Sequence, residues 1–167
     1  STEITQYIQK SKVAKELGIR SSWSVNEKTA MEAALGMSYC GKRTLTVMKH
    51  VGLNVASDVF MNMAVSGING GLVVVVEDDP AMHSSQNEQD TRNYAKFAKV
   101  PMLDPADSQE AYEMVKTGFE ISEQFDTPLM LRTTTRISHA KGVVVQQEKI
   151  APQIGEWVKD VPKYVML

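Results

Sequence analysis

Gly70-Gly-Leu-Val-Val-Val-Val-Glu77 is the most informative segment of the chain. Two glycines stop whatever precedes them, and an unbroken apolar run from Leu72 to Val76 follows. An amphipathic helix would break that run with polar residues, whereas a strand covered on both faces would not. Four consecutive valines, stiff at χ1, also favour the pleated backbone. The reading is a central strand of a parallel sheet.

Working outward, short β-branched runs alternate with longer helical ones. Upstream, Leu45 to Met48 is a compact strand, and the next helix takes its apolar face from Val55, Val59, Phe60 and Met63, ending at Gly70-Gly71. Before it, Ser24-Val25 is weakly extended. Lys28 to Tyr39 carries Ala30, Met31, Ala34, Leu35 and Met37 at helical spacing, stopped by Gly41. Downstream, Glu77 to Arg92 is a polar loop containing Pro80 and leading into a short helix, and Val100 to Leu103 is a strand. Asp107, with Glu110 three residues on, caps a helix buried along Ala111, Met114, Val115 and Phe119. Leu129 to Leu131 is a strand, Thr133 to Lys141 a polar loop, and Val143 to Val145 an edge-strand candidate. The tail from Ile150, with Pro152 and Pro162, wraps over the surface or leads onward. Strand, helix, strand, helix implies right-handed βαβ units in an open α/β parallel sheet with helices on both faces. Ligands of such sheets sit at the carboxyl ends of the strands.

The composition fits one domain. The chain has 167 residues, 43% apolar and 23% charged, with a formal charge of -2 and no basic cluster for a nucleic acid. Cys40 is the single cysteine, which excludes an internal disulfide, a cluster of iron and sulfur held within this chain, and a thiolate zinc site of the usual spacing. The first twenty residues are too polar for a secretory signal, and the densest apolar run is too short to cross a membrane. A cytoplasmic location is the expectation.

Three polar clusters fall at the functional edge. Asn26-Glu27 opens the first helix, where a carboxylate either complements the helix dipole or does chemistry. Lys49-His-Val-Gly-Leu-Asn54 follows a buried strand directly, as a solvated turn or as a binding site. Glu77-Asp-Asp-Pro-Ala-Met-His-Ser-Ser-Gln-Asn-Glu-Gln-Asp90 supplies consecutive acids, but nothing places them around one point, so no metal is assigned. Ser84, Ser85, Gln86 and Asn87 in it are neutral donors and acceptors suited to an organic substrate, and His83 is either a ligand or a structural hydrogen-bonder. No phosphate loop, Gly-x-Gly-x-x-Gly or Gly-x-Ser-x-Gly occurs, which counts against an NTPase, a dehydrogenase of the usual kind and a serine hydrolase.

These clusters, in the strings Trp23-Ser-Val-Asn-Glu-Lys28, Met48-Lys-His-Val-Gly-Leu-Asn-Val55 and Asp78 to Asp90, resemble the α subunits of indolepyruvate:ferredoxin oxidoreductases. Tyr94 to Ala98, Pro101 to Leu103 and Leu131 to His139 carry the same resemblance. It implies the pyrimidine-binding domain of a thiamine-diphosphate enzyme, over residues 1–146, with 147–167 as a tail or linker. It further implies that Glu27 bonds N1′ of the aminopyrimidine, so that the ring's 4′-nitrogen can remove the C2 proton of the thiazolium. On the cofactor side it sets Asn26, Val51, Gly52 and Asn54 beside Glu27. On the substrate side it sets Lys49, His50, His83, Ser84, Ser85 and Gln86. The implied reaction is oxidative decarboxylation of an arylpyruvate to an acyl-coenzyme A, with electrons leaving through 4Fe-4S clusters to ferredoxin. Related enzymes of pyruvate or other 2-oxoacids, and a structural module of the same fold, are the alternatives.

Measured against that family, the first strand and helix, the pyrophosphate domain that holds Mg2+, and the cysteine-rich cluster segment lie outside this sequence. The expected partners are the remainder of an α subunit, a β subunit, and a homologous or pseudo-twofold domain. An uncovered sheet edge would invite self-association. The chain by itself is expected to show no turnover of indolepyruvate with coenzyme A and a viologen dye, and robust turnover by the purified chain would refute this.

Overall fold

A computed structural model of the protein describes residues 2–148, 156–157 and 159–164. Two helices open the chain, α1 (Thr2–Lys10) and α2 (Lys12–Glu16), followed by an irregular segment that includes Ser24 and Val25. Then come α3 (Glu27–Tyr39), β1 (Thr44–Lys49), α4 (His50–Val55), α5 (Ser57–Ser66) and β2 (Leu72–Asp78). A 3-10 turn at Pro80–Met82 precedes α6 (Arg92–Ala98), β3 (Met102–Leu103), α7 (Ser108–Phe125), β4 (Leu129–Thr134), α8 (Thr135–Ser138) and α9 (Val161–Tyr164). Among the described residues four strands form one all-parallel sheet, in the order β1-β2-β4-β3.

β2 is buried at all seven positions, as its apolar run requires of an inner strand. Alternate residues feed opposite faces. Leu72, Val74 and Val76 pack with Met31 of α3, Leu53 of α4, and Val59, Phe60 and Met63 of α5. Val73, Val75, Leu129 and Leu131 pack under Met114, Val115 and Phe119 of α7. The helix sits so close there that a Cβ on Gly118 would lie 3.0 Å from Leu129. Among the described residues no helix is long and apolar enough to cross a membrane.

Several local expectations are corrected. The helix after β1 is two helices, broken at Ala56, and Val55 faces outward at 50% exposure while Leu53 and Ala56 are buried. Gly67, at φ 72°, stops α5, not the Gly70-Gly71 pair. Left-handed backbone at that position needs a residue without Cβ. The strand expected from Val100 shrinks to Met102–Leu103, because Pro101 has no N–H and can offer only its carbonyl, which accepts from Met130 N–H at 3.0 Å. The Asp107 carboxylate caps α7 at Glu110 N–H (2.9 Å), but the returning Glu110 carboxylate reaches Ala106 N–H rather than that of Asp107. Val143 to Val145 forms no strand. The segment runs along α7, where Val145 N–H donates to Gln109 Oε1 (2.8 Å) and Gln147 N–H to the Tyr112 hydroxyl (3.1 Å). Ile150 and Pro152 lie outside the described residues. Farther on, Lys163 bridges to Asp126 at 2.6 Å and Tyr164 packs on Tyr39, with ring centroids 4.3 Å apart, at the amino end of the sheet.

At the opposite, carboxyl end an ion network joins β2, β4 and the residue that follows β3. Asp78, 1% exposed, accepts from Arg132 Nε at 2.7 Å, from Thr91 N–H at 3.1 Å and from the Thr91 hydroxyl at 2.8 Å. Arg132 extends its other arm to Asp104, also at 2.7 Å. Removing Arg132 leaves the buried Asp78 charge without its cation. Arg132→Met should therefore cost about 3–5 kcal/mol in urea unfolding. Breaking the half-exposed Arg43–Glu123 pair (2.6 Å) with Arg43→Met should cost about 1 kcal/mol or less.

Candidate active site

The candidate site gathers where β1, β2 and β4 end. Asn26, in extended conformation, caps α3 through its side-chain oxygen on Thr29 N–H (2.9 Å), which puts Glu27 in the first helical turn. The Glu27 side chain is half-buried and lies directly over Gly52 of α4. A Cβ added to Gly52 would stand 2.5 Å from Glu27 Cγ and 3.0 Å from both Cδ and Oε1. Among the described residues the Glu27 carboxylate makes no hydrogen bond or ion pair. A half-buried acid without a protein partner is available to a ligand, and the bare Gly52 Cα makes the cradle in which it lies.

α4 follows β1 with no loop between, Lys49 being the last strand residue and His50 the first helical one. His50 is fully buried, its Nε2 bonding the Asn87 carbonyl at 2.9 Å and its Nδ1 facing the Glu77 carbonyl at 3.4 Å. A carbonyl only accepts, so the shorter bond puts a proton on Nε2. His50 therefore ties α4 to the loop after β2. Val51 is half-buried, and Asn54 is exposed, with its Oδ1 held by the Tyr94 hydroxyl at 2.6 Å.

Lys49 reaches across to the same loop. Its ammonium donates to the Ser84 carbonyl (2.5 Å) and lies 3.1 Å from each of the Ser84 and Ser85 hydroxyls. Asp79 anchors that loop from the strand side, accepting from His83 N–H (3.2 Å), Ser84 N–H (2.7 Å) and the Thr135 hydroxyl (2.8 Å). The Ser84 N–H and the Thr135 hydroxyl hold the Asp79 carboxyl well below the usual carboxylate range, so the anchor stays ionised at neutral pH. Lys49, Glu77, Asp78, Asp79, Ser84, Thr135, Ser138 and His139 line a polar recess of about 40 Å³.

Of the residues expected from sequence, the fold joins Glu27 to Gly52, Lys49 to Ser84 and Ser85, and His50 to the loop backbone. The His83 and Gln86 side chains are exposed and stand apart from these pairs. Asp78 and Asp79 are engaged by Arg132, Thr91 and loop N–H groups, and among the described residues no group of three or more His, Cys, Asp or Glu could hold a metal. Sequence reading missed Asp79, Thr135 and Tyr94 as organisers of the site. Two acids at a strand's end, ahead of a Ser-rich loop full of N–H donors, were the available signal for Asp79.

A sequence model of the family described as pyruvate flavodoxin/ferredoxin oxidoreductase, thiamine diphosphate-binding, matches residues 1–159. The indolepyruvate oxidoreductase subunit IorA of Pyrococcus horikoshii is 53% identical across 99% of this chain and 26% of its own length. The subunit of the same name from Thermococcus kodakarensis is 53% identical across 89% of this chain and 23% of its length. The chain thus spans about a quarter of the curated relatives it matches. Among solved structures, a 2-oxoglutarate:ferredoxin oxidoreductase from Magnetococcus marinus, with 2-oxoglutarate, coenzyme A and succinyl-CoA bound, aligns with a TM-score of 0.62. That match covers 80% of this chain and 24% of the other at 17% identity, which establishes the shared fold. The α/β sheet, the polar edge built on it and a family match spanning residues 1–159 agree: the chain belongs to the thiamine-diphosphate-binding family of the pyruvate flavodoxin/ferredoxin oxidoreductases.

Proposed function

We propose that this chain supplies the aminopyrimidine half of a thiamine-diphosphate site, with Glu27 as the group that shares a proton with the ring's N1′. The observation that carries the reading is the half-buried Glu27 carboxylate, without a partner among the described residues and set against bare Gly52. A carboxyl group at an edge that a second domain would cover can hold a shared proton, because low polarity disfavours its bare charge. Exposed Trp23 and Val25 beside it, at 56% and 90%, are the apolar rim such a covering domain would bury.

When bound, the cofactor supplies a nucleophilic carbon for the keto group of a 2-oxoacid. Around it, Asn26 fixes the helix turn that presents Glu27, and Val51 and Asn54 flank Gly52 on the cofactor side. Lys49, with Ser84 and Ser85, is the cationic and hydroxyl set suited to a substrate carboxylate. His50 holds that set in place through the loop backbone, and His83 and Gln86 stand at its outer margin.

In the whole protein, the names of the curated relatives favour indolepyruvate as the 2-oxoacid. The reading includes oxidative decarboxylation to an acyl-coenzyme A and 4Fe-4S clusters that pass electrons to ferredoxin. It assigns Mg2+ to a domain outside this chain and places the enzyme in the cytoplasm of an anaerobic metabolism, with a β subunit and a pseudo-twofold or homo-oligomeric arrangement.

In the assembled full-length enzyme, Glu27→Gln keeps the shape but cannot share the proton. Viologen reduction by indolepyruvate with coenzyme A should fall by about 10²–10⁴-fold in kcat. Normal turnover would instead make the domain a structural module. Lys49→Met should raise KM for the 2-oxoacid by about tenfold or more, the loss of one charge-assisted contact, with kcat changed less. An unchanged KM would remove Lys49 from substrate binding.

A further inference from the structure

Gly52 lies inside α4, buried, with φ in the ordinary right-handed range rather than the left-handed region that calls for glycine. A glycine in such a place is a poorer helix former than alanine, so something other than backbone conformation accounts for it. All three of the heavy atoms nearest to an added Cβ belong to one side chain, Glu27: Cγ at 2.5 Å, Cδ at 3.0 Å and Oε1 at 3.0 Å. The missing methyl group makes room for Glu27 above all.

The wall behind the acid is also fixed. His50, two residues earlier, is buried and bonded to the Asn87 carbonyl, and Leu53 is fully buried in the core. Beyond Gly52, Ala56 N–H donates to the Gly52 carbonyl at 3.0 Å, and Ala56 is itself buried. α4 is therefore held through His50, Leu53 and Ala56. Were Gly52 to gain a Cβ, the side chain that would move is Glu27, whose carboxylate nothing else in the described chain restrains.

We propose that Gly52 is a positioning residue for Glu27: its bare Cα sets the depth and aim of the carboxylate toward N1′ of the cofactor's pyrimidine. This rests on the reading of Glu27 given above, and it assigns Gly52 a role through Glu27 rather than a contact of its own with the cofactor. An acid displaced by about 1 Å from a proton it must share loses on the order of 100-fold in the step it serves. Cofactor affinity, set elsewhere by the diphosphate, is largely spared.

The test uses the assembled full-length oxidoreductase saturated with thiamine diphosphate, comparing wild type, Gly52→Ala, Glu27→Gln, the Glu27→Gln/Gly52→Ala pair, and Gly36→Ala. Gly36 is an exposed glycine of α3 with nothing within 4 Å of an added Cβ, so it controls for glycine replacement in a helix. Two quantities are read: the rate at which the cofactor's C2 proton exchanges with deuterated solvent, and the cofactor Kd. Gly52→Ala should slow exchange about 100-fold. Kd should stay within about threefold of wild type, less than half a decade. Gly36→Ala should change neither. In the Glu27→Gln background Gly52→Ala should add nothing, since the residue it acts through is already disabled.

Wild-type exchange in Gly52→Ala beside slow exchange in Glu27→Gln overturns this inference and leaves the Glu27 reading standing. Wild-type exchange in Glu27→Gln overturns both. Further slowing by Gly52→Ala on top of Glu27→Gln, or a weakened Kd with normal exchange, gives Gly52 another role and also overturns it. If Gly52→Ala fails to assemble, the Glu27→Ala/Gly52→Ala pair decides, because it removes the colliding Cγ and carboxyl group. Recovered assembly and melting temperature support the contact, and continued failure refutes it.

Discussion

β2 is buried along its whole length, and the other elements are arranged around that burial. A strand with neighbours on both sides and helices on both faces exposes only its ends to chemistry. Here the carboxyl end runs into Glu77, Asp78 and Asp79, all buried, so three acids must find partners at one edge. Asp78 finds Arg132 and Thr91, and Asp79 finds the backbone of its own loop and Thr135. These solutions bring β4 and the loop before α6 to the same edge as Lys49. The site is thus organised by the need to satisfy buried charge, with the core supplying the reason that the charge is buried.

A division of labour follows. Ionised groups below the edge are saturated by protein and hold geometry. Glu27, Lys49 and the Ser84-Ser85 hydroxyls lie nearer the surface, and Glu27 alone among these has no protein partner in the described chain. His50, though not one of these acids or bases at the edge, is likewise held by protein, since its buried ring bonds a backbone carbonyl. The imidazole ties α4 to the loop after β2.

Much of the fold was legible because its signals are local. The run Leu72 to Val76, the strand from Leu45, and the Asp107 cap of α7 each carry their own pattern, and each forms within a few residues of where it was expected. What failed depended on distant neighbours. Which glycine ends α5 is decided by where the chain must turn, and Gly67 rather than the Gly70-Gly71 pair occupies the left-handed position. Val143 to Val145 is as β-branched as any edge strand, yet it pairs with side chains of α7. The candidate site divides the same way. Glu27, Lys49, Ser84 and Ser85 could be singled out by residue type and place, whereas the contact of Glu27 with Gly52 spans 25 positions and no periodicity carries it.

The direct passage from Lys49 of β1 into His50 of α4 bears on how this family can change length over evolution. Each residue of a helix turns it by about 100°, and no loop lies between strand and helix to absorb an insertion. One residue gained or lost there would swing Gly52 away from Glu27, unseat His50 and redirect Lys49 together. The loop between Asp79 and Arg92 is fastened at discrete points and mostly exposed, so it can lengthen or shorten between them. Divergence in length should therefore collect in that loop, leaving the strand-to-helix step at a constant residue count.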